Sequence, residues 1–141
     1  MLTFGLRIKA TMAERTKNAV EKYKPYIEGL VAREKQRRQR RRQRAAEAME
    51  VARQAAQLLR ARYNVRRIRV FGSVLHPDHF HERSDIDLAV EGLSPQDFLK
   101  AWGMLNGGSP EINSDFEIDL VTPEECRPAI WDSVQREGVD L

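Results

Sequence analysis

Three aspartates and one glycine-serine pair are the residues of this chain that could do chemistry. Asp85 and Asp87 flank Ile86 in the run Ser84-Asp85-Ile86-Asp87-Leu88, and Asp119 lies between Ile118 and Leu120 in a later apolar run. In a strand, residues i and i+2 face the same way, about 6.5–7 Å apart. Asp85 and Asp87 are therefore expected to project together, with Asp119 adjacent on another strand. Like charges gathered on a sheet are costly unless something positive neutralises them. Magnesium fits, because it takes oxygen ligands, commonly one or two carboxylates plus phosphate oxygens. Two such ions about 3.5–4 Å apart can act on both sides of an in-line displacement. One mid-strand aspartate reads as a solvent-facing residue; three with a Gly-Ser turn point to a divalent-cation site. Gly72-Ser73 follows the apolar pair Val70-Phe71. Glycine lets the backbone approach a ligand closely, and serine adds a hydroxyl and an N–H. A helix starting there would offer further free N–H groups to an anion.

These residues need a scaffold. Between Lys17 and Arg62 the only glycine is Gly29 and the only proline Pro25, in a stretch of strong helix formers. Ala45, Met49, Ala52, Ala56 and Leu59 draw an apolar stripe at helical spacing, which predicts a helix packed on the core. Val20, Tyr23, Ile27 and Leu30 make a second, shorter stripe, which Pro25 starts or kinks. Strands are predicted over 66–72, over 85–92 and around Phe116, Ile118 and Leu120. Ser94-Pro95 opens a helix with Phe98, Ala101, Trp102 and Leu105 on one apolar face, ended by Asn106-Gly107-Gly108. A last helix spans about 128–136, stopped by Gly138. Val139-Asp140-Leu141 is too short to classify. Strands interleaved with helices make a small α/β domain.

Charge divides the chain. Residues 1–69 carry 20 Lys and Arg against 6 Asp and Glu, a net of +14; residues 70–141 carry 4 against 15, a net of −11. Such asymmetry suggests two jobs. The run Arg33 to Arg44 has no apolar residue. As a helix it is either solvated all round or bound to something acidic, a protein or a nucleic acid. No aromatic residue is interleaved to stack on bases. The single cysteine, Cys126, rules out an internal disulfide framework and fits a reducing, cytoplasmic compartment. No apolar stretch is long enough for a membrane span, and the N-terminus lacks the apolar core of a secretory signal. Met12 is an alternative start. His76, His79 and His81 all fall between Ser73 and Asp85, either as solvated loop residues or as metal ligands.

Taken together, Phe71-Gly72-Ser73, Ser84 to Val90 and Phe116 to Val121 resemble the minimal nucleotidyltransferases of the DNA polymerase beta-like superfamily. The resemblance covers residues 45–141, including the ending Gln135-Arg136-Glu137-Gly138-Val139. It implies an α/β (α+β) fold, a small mixed sheet flanked by helices, here with a basic helical extension over residues 1–44. It also implies that Gly72 and Ser73 hold the β- and γ-phosphates of ATP. Asp85 and Asp87 would bind both of two magnesium ions, and Asp119 would help bind one and activate the acceptor hydroxyl. The reaction implied is attack of a hydroxyl on the α-phosphorus of ATP, releasing pyrophosphate. Free-standing members resemble antitoxins that transfer AMP to a tyrosine of a HEPN-domain ribonuclease toxin. The alternatives are transfer to a small molecule such as an aminoglycoside, for which little chain is left to build an acceptor domain, and an inactive module binding RNA or a partner. The N-terminal helix would dock the partner or mediate self-association. Eleven residues separate Ser73 from Asp85, one more than the family pattern. Val74 also follows Ser73 where the family's loop often opens with an arginine, and Pro77 stands near the position of its usual glycine. The expectation is a loop one residue longer that leaves Ser73 facing the phosphates.

Overall fold

The computed structural model describes residues 11–112 and 114–141. A capping box starts the first helix: Thr11 Oγ1 accepts from the Glu14 N–H, and the Thr11 N–H donates to Glu14 Oε2, both at 3.1 Å. Helix α1 then runs Met12–Arg62 with Pro25 inside it. The chain divides into two compact units between Arg38 and Gln39. In the first, Val20, Tyr23, Ile27 and Leu30, the upstream stripe, are all exposed.

In the second unit, Ala45, Ala48, Ala52, Ala55, Ala56 and Leu59 form the buried face of α1. Five of the six are alanine, so the helix can lie close to what it covers. It covers a sheet built from β1 (Arg67–Phe71), β2 (Ile86–Glu91), β3 (Ile118–Val121) and β4 (Val139–Asp140). The order is β3-β2-β1-β4. Strand β1 is antiparallel to β2 and β4, and β2 is parallel to β3. Period-two alternation sends Ile68, Val70, Ile86, Leu88, Val90, Ile118 and Leu120 into the core shared with the α1 alanines. Helix α2 (Pro95–Gly103) begins at Ser94, whose hydroxyl accepts from the Asp97 N–H at 3.1 Å. Its apolar face is narrower than the sequence suggests. Ala101 is buried and Phe98 half-buried, but Trp102 is exposed. The reason is a π-type turn, Met104–Gly108, that swings Met104 and Leu105 into the core. That turn also protects the sheet. Asn106 accepts from the Ile118 N–H and donates to the Ile118 carbonyl, each at 2.8 Å, which closes part of the β3 edge.

The opposite sheet face is smaller. Phe71 and Ala89 pack with Val134 and Trp131 of helix α3 (Pro128–Glu137). Arg69 holds this layer together. Its side chain is 3% exposed, pairs with Glu91 at 3.2 Å, donates to Gln135 Oε1 at 2.8 Å and lies 5.3 Å from the Trp131 ring centre. The C-terminal residues then add β4 beside β1, where Arg67 grips Asp140 through two bonds of 2.7 and 3.1 Å.

A buried ion that loses its partner is costly, whereas exposed pairs contribute little. Arg69→Met should therefore lower stability by about 2–3 kcal/mol in urea unfolding, because Glu91 is only partly screened. Arg67→Met should leave the unfolding midpoint nearly unchanged.

Candidate active site

The register places the chemistry in a row. Phe71 on β1 is opposite Asp87 on β2, and Asp87 is opposite Asp119 on β3. Gly72 follows Phe71 at once, with φ +78°. A Cβ built there would overlap Asp87 Oδ2 and lie 3.3 Å from Asp87 Cγ. Glycine is thus required twice, for its left-handed backbone and for the space, and the Gly72 backbone rests on the Asp87 carboxyl.

Asp85 immediately precedes the first residue of β2, two positions before Asp87, and its charge acts on both Asp87 and Asp119. It leaves a tight turn in which the His81 N–H donates to Ser84 Oγ at 3.0 Å and the Arg83 N–H to His81 Nδ1 at 3.2 Å. The Ile86 N–H, bonded to the Glu117 carbonyl at 2.9 Å, ties this point to the approach to β3.

Ser73 sits in a four-residue 3-10 turn, Gly72–Leu75, not at the start of a longer helix. The cause is local. Pro77 bars the helical region to the residue before it, and His76 takes φ −121° and ψ 78°. The turn is closed by the His76 N–H donating to the Ser73 carbonyl at 2.9 Å.

The loop between Ser73 and Asp85 is held by residues that the sequence left as solvated or partner-binding. Arg42 makes bonds of 2.7 and 3.4 Å to the Asp78 carboxylate, and Arg41 donates to the Asp78 carbonyl at 3.4 Å. Arg44 donates to the Glu82 carbonyl at 3.1 Å, and its guanidinium stands 4.5 Å from the Phe116 ring centre. Phe80 is wholly buried from the same loop and tilts against Phe116. Part of the arginine run is therefore internal structure. The three histidines do not converge: His81 accepts from the backbone, and His76 Nε2 faces Glu137 at 3.8 Å.

Electrostatics single out Asp87. Burial, then the charges of Asp119 and Asp85, push its pKa up from 3.8 to about 6. Asp119 is raised too, by burial and then by Asp85. Both shifts have the same origin: burial and crowding make it costly to charge this coupled set of carboxylates. Among the described residues, no three His, Cys, Asp or Glu side chains form a ready metal cage. The aspartates are neighbours, not a closed ligand set. An oxygen-only, incomplete set of this kind suits magnesium, which completes its shell with water and phosphate.

An open cleft of about 640 Å³ leads to the pair. Asp87 and Asp119 are on its wall, and Phe98, Leu99, Trp102 and Ile130 supply apolar surface. Sequence reasoning assigned Trp102 to the core and passed over Leu99 and Ile130. Leu99 lies one residue after the half-buried Phe98, off the buried face of α2, which was the available signal.

The nucleotidyltransferase domain family matches residues 52–140. No curated protein matches the chain. A solved structure described as "Crystal structure of the toxin-antitoxin with AMP-PNP" is similar in fold, with a TM-score of 0.51 and 24% identity, over 63% of this chain and 70% of that one. No helix among the described residues is long and apolar enough to cross a membrane.

The raised pKa has a consequence for stability. A carboxyl that holds its proton more tightly when folded stabilises the fold at low pH, and that contribution is lost as pH rises from 3.8 through about 6. Asp87→Asn removes the loss. Without divalent cations it should stabilise the protein by about 1–2 kcal/mol at pH 8, after discounting for solvent screening, and by almost nothing at pH 3.5. Thermal melts at the two pH values check this.

Proposed function

The chain belongs to the nucleotidyltransferase domain family, and on that premise we propose that it is a magnesium-dependent adenylyltransferase serving as the antitoxin of a toxin–antitoxin pair. The observation that carries the reading is the row Gly72, Asp87, Asp119, in which a backbone bend that tolerates no side chain rests on a strained carboxylate cluster. A repulsive cluster of this kind calls for cationic and phosphate ligands.

In this reading Gly72 and Ser73 present backbone N–H groups and a hydroxyl to the β- and γ-phosphates of ATP. The short 3-10 turn makes this a bend with few donors. Asp85, Asp87 and Asp119 would hold two magnesium ions, which, when bound, supply neutralisation of the phosphates and polarisation of the α-phosphoryl group. Asp119 takes the proton of the acceptor hydroxyl. The acceptor oxygen bonds to the α-phosphorus, the bond to the α,β-bridging oxygen breaks, and pyrophosphate leaves. The arginine-held loop fixes the distance between the Ser73 bend and Asp85, which face different parts of one nucleotide.

The partner in this reading is a HEPN-domain ribonuclease whose tyrosine receives AMP, in the cytoplasm. The support is the fold shared with a protein solved as a toxin-antitoxin with AMP-PNP. Residues 45–141 would be the transferase domain. Residues 1–44 would be the extension that docks the partner or a second copy, although Arg41, Arg42 and Arg44 also serve the transferase domain.

Incubation with α-labelled ATP and magnesium tests the reading. Wild-type protein with its partner should release pyrophosphate and label the partner, and Asp87→Asn or Asp119→Asn should reduce the rate at least about a hundredfold. Label on an aminoglycoside would move the activity to a small acceptor. Equal rates in wild type and both variants would remove the aspartates from the chemistry.

A further inference from the structure

The first part of α1 carries an apolar face that nothing among the described residues covers. Val20, Tyr23, Tyr26, Ile27, Leu30 and Val31 are between 41 and 63% exposed. At 3.6 residues per turn they fall within one broad stripe, and Pro25 and Gly29 lie on the far side of the helix. Large side chains left in water over one contiguous face mark a protein contact. The stripe follows a seven-residue repeat. Ala13, Val20, Ile27 and Glu34 make one line of it, and Thr16, Tyr23, Leu30 and Arg37 make the other. These are the two lines of a helix–helix seam. The seam is apolar in its middle and differs at its ends. Small residues start it, and a Glu34–Arg37 ion pair of 3.0 Å finishes it.

We propose that this face pairs with a second copy of the chain as an antiparallel two-helix seam, its two-fold axis passing beside residue 25. Such an axis brings residue i of one copy to residue j of the other, and j to i. Val20 then meets Leu30, and Tyr23 meets Ile27. At the ends Ala13 meets Arg37 and Thr16 meets Glu34, so each long charged side chain finds a small one. A parallel pair in register does the opposite. Glu34 faces Glu34, Arg37 faces Arg37, Tyr23 crowds Tyr23, and the basic ends at 33–38 run side by side. Size and like-charge repulsion thus select the reversed arrangement. The match of the sequence to its own reversal also selects the occupant, because a foreign helix would need no such symmetry about residue 25. Residues 12–38, about 40 Å of helix at 1.5 Å per residue, are centred on the same point. Pairing of this face needs no nucleotide and is independent of the transferase reading.

Sedimentation of the full chain tests this. The protein alone, without nucleotide or partner, should have twice the mass of one 16.3 kDa chain. Ile27→Asp and Leu30→Asp, both at exposed positions, should each raise the dimer dissociation constant at least about a hundredfold. Asn18→Asp, on the far side of the helix, should change it by less than about twofold. Cross-linking reads the direction. Cys126 is the only cysteine, so Val20→Cys and Leu30→Cys proteins in a Cys126→Ser background can be mixed and oxidised. Intact-mass spectrometry should find mainly products that join one Val20→Cys chain to one Leu30→Cys chain. A preference for two Val20→Cys chains joined to each other overturns the antiparallel seam. A monomer at every concentration overturns the pairing and leaves the face to a foreign partner. A dimer indifferent to both Ile27→Asp and Leu30→Asp puts self-association on another surface and overturns it as well.

Discussion

Repulsion between Asp87 and Asp119 is the constraint around which this domain is arranged. Adjacent strands in register bring two carboxylates side by side at the mouth of a cleft, with a third just before β2. Among the described residues, no lysine or arginine lines the cleft they share, although the domain has arginines to spare. Arg69 is spent on Glu91 and Trp131 beneath α3, and Arg42 and Arg44 on the loop. A fold that keeps its cations away from a half-buried acidic row leaves that charge to be met by ligands. Gly72 reinforces the same constraint, because its missing Cβ is what lets the β1 bend lie on Asp87.

The supporting structure follows from that need for register. Asp87 and Asp119 meet only while β2 and β3 stay paired in parallel, and both are anchored from below by Ile86, Leu88, Ile118 and Leu120 in the main core. A slip of one residue would send the aspartates into that core and the isoleucines and leucines into the cleft. Alanines on α1 let the covering helix sit close. Asn106 holds the Ile118 end of β3 from a side chain, and β4 pins the far side of β1. Each device serves alignment of the row.

Much of this was legible in residue order. The period-two alternation around Asp87 and Asp119, the alanine stripe of α1 and the Ser94-Pro95 helix start each depend on local pattern, and each forms as the pattern predicts. What was hidden depends on distant partners. Val139-Asp140 becomes a strand only because β1 offers it an edge. The arginines at 41, 42 and 44 look like the rest of a charged run until the loop at 78–82 comes to meet them. Pro77 was noticed as a departure, yet its effect in cutting the turn after Ser73 short emerges only with the backbone angles of His76. Trp102 matched the helical spacing of a core residue, and the π-type turn after Gly103 gave that role to Met104 instead, beside Leu105 as expected.

The most direct measurement is a crystal structure grown with manganese and a non-hydrolysable ATP analogue, read by anomalous scattering. The account predicts anomalous density bonded to the carboxylates of Asp87 and Asp119, with the β- and γ-phosphates lying on the backbone of Gly72 and Ser73. Density that avoids both carboxylates, or a triphosphate bound on the arginines of α1 with the bend left bare, would contradict it.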